Sequence, residues 1–221
     1  MSMNRNINKI ATIINQSLQK RFGIVIRKYN KQSPIIFDGF SERRFLYFYN
    51  LLDSLKEVDG DIVECGVWKG GSMMLAAKTL MELDNTDYDL YLFDTFEGLP
   101  KTNDNDLFVQ KGWLHDTSLE SVKNYLSDFK NTHFLKGIFP ETAEPISDKK
   151  FSFIHLDTNL YQSTLDALEF FWPRMVIGGR IVSHDYNASS MPGVKKAFME
   201  FFRDQPEKII EIADSQVMVI K

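Results

Sequence analysis

The sequence has a single cysteine in 221 residues, Cys65, so no disulfide can close within the chain and a reducing compartment, the cytoplasm, is expected. It has no basic excess either: 26 Lys and Arg against 30 Asp and Glu leave a formal charge of −4. Nucleic acid, which is bound through a basic face, is therefore not an expected partner. No apolar run approaches the roughly 18 residues of a spanning helix, so no membrane span is expected. The opening MSMNRNINKIATIINQ lacks the apolar core and small-residue cleavage site of a secretory signal. Repeats, low-complexity tracts and Pro/Gly/Ser linkers are missing too. What is there, 43% hydrophobic and 25% charged residues, describes a globular protein long enough for one sizeable α/β domain.

Residues 1–40 read as a helical extension, in which Ile7, Ile10, Ile13, Ile14 and Leu18 recur at helical spacing and Gly23 ends the helix. Its apolar stripe suits packing on the main domain, a dimer contact or a cap over a site, and packing is the plainest of the three. Residues 41–221 read as one domain. It opens with a helix over 41–56, capped by Ser41. Beyond Gly60, apolar strands at 61–65, 88–94, 132–136, 151–157 and 180–183 alternate with helices at 72–83, 118–129, 160–171 and 192–203. Two last strands, 208–212 and 217–220, are too close for a crossover helix and form an antiparallel hairpin. The expected fold is α/β: a doubly wound, mostly parallel seven-stranded sheet with a reversed last strand.

In such sheets ligands bind beyond the carboxyl ends of the strands. The first strand runs into Glu64-Cys65-Gly66-Val67-Trp68-Lys69-Gly70-Gly71-Ser72. Its glycines permit a tight bend and close approach to a ligand, and Ser72 can cap the next helix. The second strand ends in Asp94-Thr95-Phe96, a carboxylate placed to accept the hydroxyls of a ribose. Together these features point to a nucleoside cofactor. The spacing G-x-x-x-G-G differs from the G-x-G-x-x-G of dinucleotide folds, and Glu64 beside a diphosphate would repel it. Beside the ammonium and sulfonium of S-adenosylmethionine the same acid is attractive, which favours that cofactor over a nicotinamide. The plainer alternative is a tight turn with two solvated carboxylates.

The motifs ECGVWKGGS, LFDTFEGLP, FLKGIFPET, HLDTNLYQSTLDAL and GGRIVSHDY follow in that order from about residue 40 onward. In order and spacing they resemble the macrocin O-methyltransferase (TylF-type) family. The resemblance implies a class I, Rossmann-like methyltransferase. Such enzymes methylate sugar hydroxyls in antibiotic or surface-glycan biosynthesis with S-adenosylmethionine and a divalent metal, usually magnesium. It also implies a homodimer and a small-molecule sugar or glycoside substrate. By the same resemblance Glu64, Gly66, Val67, Gly70, Gly71 and Ser72 form the cofactor loop, Asp94 and Thr95 hold the ribose side, and Phe96 lies near the adenine.

The metal ligands it implies are Asp157 and the pair His184-Asp185, where the family carries Asp-Asp. The family's D-G-D-L-Y-E-S-T stands here as Asp157-Thr158-Asn159-Leu160-Tyr161-Gln162-Ser163-Thr164, with Asn159 and Gln162 in place of acids. Adjacent strands lie about 4.8 Å apart, so acids ending the fourth and fifth can converge on one cation. Three carboxylates suit magnesium, whereas an imidazole moves the preference towards manganese, iron or zinc. With a metal present, Asp157, Asp185 or His184 would take the proton of a sugar hydroxyl that attacks the methyl group in line. The competing readings are a relative that has lost the metal site and catalysis, and a nicotinamide-dependent oxidoreductase.

Other residues carry plainer expectations. His155, two before Asp157 on the same side of its strand, either orients that acid or sits in the core, and the core is favoured. The segment 97–117, with Trp113 and His115, is expected to cover the substrate. Cys65 reads as a small buried residue, His133 as exposed, and Phe198, Phe201 and Phe202 as core.

Overall fold

Alternation along the strands decides which side of the sheet each helix covers. The computed structural model describes residues 42–83 and 87–221; the expected extension over 1–40 lies outside the described residues. The elements are α1 (Glu42–Asp53), β1 (Asp61–Cys65), α2 (Gly71–Glu82), β2 (Leu90–Asp94), α3 (Leu119–Tyr125), β3 (Thr132–Lys136), β4 (Phe151–Leu156), α4 (Tyr161–Phe171), β5 (Met175–Ser183), α5 (Pro192–Phe201), β6 (Ile210–Ala213) and β7 (Gln216–Ile220). The seven strands lie in the order β3-β2-β1-β4-β5-β7-β6. All pair in parallel except β7, which runs antiparallel to both β5 and β6. This is the doubly wound sheet with a reversed last strand.

Ile62, Leu90, Leu92, Phe153 and Val182 face one side of the sheet, packing with Phe48 and Leu52 of α1 and Met73, Ala76 and Leu80 of α2. Their neighbours Val63, Phe93, Ile154, Leu156 and Ile181 face the other, under Ala167, Leu168 and Phe171 of α4 and Val194 and Phe198 of α5. The central strands β1, β2 and β4 are thus buried on both faces, as parallel sheets require. No described helix is long and apolar enough to cross a membrane.

Two boundaries differ from expectation by four residues or more. β5 starts at Met175, because Gly178 and Gly179 continue the strand across a register shift instead of breaking it. A Cβ on Gly179 would lie 2.9 Å from Val176 O and 3.1 Å from Ser152 O, so the close approach of β4 needs glycine there. The helix expected over 118–129 ends at Tyr125; its start is fixed by Ser118, whose hydroxyl accepts the Ser121 amide in a capping box.

Candidate active site

β1 lies between β2 and β4, so the chains leaving these strands diverge and open a crevice at its tip. Gly66 turns there with φ +90, donating its amide to Phe93 O at 2.9 Å, while Asp157 N donates to Cys65 O at 2.9 Å. A Cβ on Gly66 would lie 2.0 Å from the carbonyl oxygen of Asp157, so only glycine passes between the tips. The next turn is held by Asp94. Its Oδ2 accepts the amides of Val67 and Trp68 at 2.7 and 2.8 Å, and its Oδ1 accepts that of Phe96 at 2.6 Å.

A cavity of about 280 Å³ opens beyond these tips, and its wall contains Gly66, Asp94 and Thr95 together with Asp157, His184 and Asp185. Six of the expected site residues therefore meet around one space. Val67, Gly70, Gly71, Ser72 and Phe96 are not on its wall, and all of them but Gly71 are buried.

Glu64 departs from expectation. It follows Ile62 onto the face covered by α2, is wholly buried, and forms no part of the cavity wall. Its Oε1 accepts the Ser72 hydroxyl and meets His155 Nδ1 at 2.7 Å. Burial pushes its pKa well above the usual carboxylate range, against the pull of the Ser72 hydrogen bond. Direct contact with a cationic donor, as read from the sequence, is corrected to an internal role. His155, also wholly buried, sits in the core, with its Nδ1 against Glu64.

Asp157 follows β4, and His184-Asp185 follows β5. One donor atom from each can be chosen so that all lie within 4.8 Å of one another. His184 Nδ1 sits 3.3 Å from Asp157 Oδ1 and 3.2 Å from Asp185 Oδ1. Burial alone would lower the imidazole pKa, but the charge of Asp157 and close contact with both acids outweigh it and push it up to about 10. The protonated ring balances two converging carboxylates. That is the charge a divalent cation would supply, and two oxygens with one imidazole nitrogen form a suitable donor set. Asn159, with φ 62, donates from Nδ2 to Asp185 Oδ2 at 2.9 Å and so fixes how that acid faces the cluster.

The segment 97–117 is an ordered wall. Leu99 N donates to Trp113 O, and Gly112 N donates back to Leu99 O. The buried Asp106 accepts the Tyr161 amide at the start of α4 at 2.8 Å. Asp116 accepts the Trp68 indole N–H at 2.8 Å and pairs with Lys69 at 2.7 Å. Gly98, Leu99, Pro100 and Leu114 reach the cavity, as do Trp68, Ile138, Phe139, Asn159 and Met191 from other loops. None of these nine is singled out by the sequence as a site residue, although Trp68 lies in the glycine loop, Asn159 in the motif that follows Asp157, and Gly98, Leu99, Pro100 and Leu114 in the segment expected to cover the substrate. Gly98, Leu99, Pro100, Ile138 and Phe139 lie in the segments LFDTFEGLP and FLKGIFPET, which carry the resemblance without any periodic pattern.

Residues 27–218 match the Macrocin-O-methyltransferase (TylF) family. The chain is 30% identical over 171 residues to the mycinamicin III 3''-O-methyltransferase of Micromonospora griseorubida, covering 70% of this chain and 66% of that one. It is 33% identical over 140 residues to the 8-demethyl-8-(2,3-dimethoxy-alpha-L-rhamnosyl)-tetracenomycin-C 4'-O-methyltransferase of Streptomyces olivaceus, covering 58% and 54%. The matched region thus spans between about half and two thirds of these relatives' lengths. Among solved structures, the O-methyltransferase NovP superposes with a TM-score of 0.73 at 26% identity, covering 81% of this chain and 79% of that one. Calicheamicin methyltransferase superposes at 0.70 with 18% identity, covering 96% and 91%, a likeness of fold. By profile, relatives and fold together, the chain belongs to the macrocin-O-methyltransferase family.

Proposed function

We propose that the protein is a cytoplasmic, S-adenosylmethionine-dependent O-methyltransferase that methylates a sugar hydroxyl of a small molecule, assisted by a divalent cation at Asp157, His184 and Asp185. The observation that carries this reading is the convergence of Gly66, Asp94 and Thr95 with Asp157, His184 and Asp185 on one cavity. The relatives' names, which join a methyl transfer to glycosylated natural products, support the acceptor class.

When bound, S-adenosylmethionine supplies an electrophilic methyl group and a divalent cation lowers the pKa of a sugar hydroxyl. The chain's own residues do the rest. Gly66 lets the backbone come close to the donor, and Asp94 holds the turn at Val67 and Trp68 in a fixed shape. Asp157 is the group that takes the hydroxyl proton: its side chain is 26% exposed, against 12% for Asp185, whose Oδ2 is already engaged by Asn159. His184, held protonated or occupied as a ligand, is no base. Methyl transfer is then a direct in-line displacement, with positioning and charge matching lowering the barrier. Imidazole in the donor set favours manganese over magnesium. Calorimetric titration with S-adenosylhomocysteine, followed by labelled methyl transfer to a panel of glycosides with and without manganese, tests the reading. No binding of the product would overturn it.

A further inference from the structure

We propose that Glu64 and His155 are a positioning pair that fixes the Asp157/His184/Asp185 cluster against the loop following β1; the proposal rests on the function given above. The two residues are partners in the β1–β4 register, so their side chains leave neighbouring strands side by side. His155 Nδ1 is 2.7 Å from Glu64 Oε1, and the same oxygen accepts the Ser72 hydroxyl from the first turn of α2. One carboxylate oxygen therefore ties the far end of the glycine loop to β4. On its other side, the His155 ring meets His184 edge to face with centres 5.9 Å apart, and Phe48 of α1 packs edge-on at 5.2 Å. A continuous row of contacts runs from Ser72 through Glu64 and His155 to His184, which touches both acids of the cluster.

Stability does not account for this pair. Glu64 Oε2 is buried with no hydrogen-bond partner among the described residues. A bare buried carboxylate oxygen is destabilising, and an apolar pair of similar volume serves a buried position at least as well. What the polar pair adds is direction. The Nδ1 contact fixes the plane of the His155 ring, and that ring packs edge to face with His184. Partners behind metal ligands commonly orient them in this way. Neither Glu64 nor His155 lines the cavity, so neither is a catalytic residue.

The test titrates S-adenosylhomocysteine and Mn²⁺ separately into three proteins: the wild type, His155→Gln and the double variant Glu64→Leu/His155→Leu. The double variant removes both polar groups together, so it folds without a stranded charge. It is expected to lose on the order of 10- to 100-fold in Mn²⁺ affinity, a larger loss than any it shows for S-adenosylhomocysteine. His155→Gln, whose amide can still donate to Glu64, is expected to keep most of that affinity. Unchanged Mn²⁺ binding in the double variant overturns the proposal. So does a parallel loss of both ligands with a lowered melting temperature, which is the mark of a loosened fold. A wild type that takes up neither ligand refutes the methyltransferase reading itself, whereas a wild type that binds both, matched by the double variant, refutes the pair alone.

Discussion

Replacing Gly66 by alanine tests the geometry at the strand tips most directly. The new Cβ would stand 2.0 Å from the Asp157 carbonyl oxygen, where ordinary contact begins at 3.4 Å, so β1 and β4 must separate by more than 1 Å at their ends. Two contributions add. An L-residue at φ +90 is strained by about 1–2 kcal/mol, and forcing atoms into a filled space adds about 1–3 kcal/mol. The sum, about 2–5 kcal/mol, lowers the melting temperature by roughly 4–20 °C in a protein of this size. Gly112 supplies the control. It has φ +83, and a Cβ there meets nothing within 4 Å, so Gly112→Ala carries only the backbone strain, about 1–2 kcal/mol. Thermal unfolding of both variants, with calorimetry of S-adenosylhomocysteine, separates overlap from strain. Gly66→Ala should melt well below Gly112→Ala and lose product binding, because the separating tips carry Asp157 away from the loop. Equal melting temperatures, or normal binding by Gly66→Ala, would refute the argument.

Other consequences concern the cluster and the loop that walls the cavity. Asp157→Asn should abolish Mn²⁺ uptake and reduce methyl transfer by at least on the order of 100-fold, read by calorimetry and labelled methyl incorporation. Without metal, the ion pairs of His184 stabilise the fold fully below its ordinary pKa of 6.5; that contribution is lost as pH rises towards about 10, so the melting temperature should fall across this window. Mn²⁺ must displace the His184 proton, so its affinity should increase with pH over the same range, with close to one proton released in buffers of different ionisation heat. Asn159→Asp should strengthen Mg²⁺ relative to Mn²⁺ binding by adding a third carboxylate beside Asp185; an unchanged ratio would show that position 159 has no influence on the cation. Asp106→Ala, which strips the Tyr161 amide of its buried acceptor, should cost about 1–3 kcal/mol and show as a lower urea midpoint.

Much of the sheet was legible because its strands are short apolar runs closed by glycine or aspartate at the tip. The fold then brings Gly66, Asp94, Asp157 and Asp185 together whatever the details of packing, since all end parallel strands near the point where the winding reverses. The first half of β5 was hidden by Gly178 and Gly179, which read locally as a break and are in fact a close approach between strands. The direction of Glu64 was hidden for another reason. It depends on strand parity beneath α2 and on a partner, His155, that lies 91 positions further along. Leu99, Ile138 and Met191 come from loops, where no periodicity announces which side chain faces inward.

Asp106 and Asp116 fasten the segment 97–117 to opposite sides, one to the start of α4 and one to Trp68 and Lys69. Between the two anchors lie Leu107, Phe108, Trp113 and Leu114, all exposed. Substitutions at these exposed positions would reshape the entrance at Leu114 without touching Asp94, Asp157, His184 or Asp185, whereas buried Val109 and the Leu99 bonds of Gly112 and Trp113 hold the stretch in place. Under the proposed function, a change of acceptor is therefore best sought at Leu107, Phe108, Trp113 and Leu114.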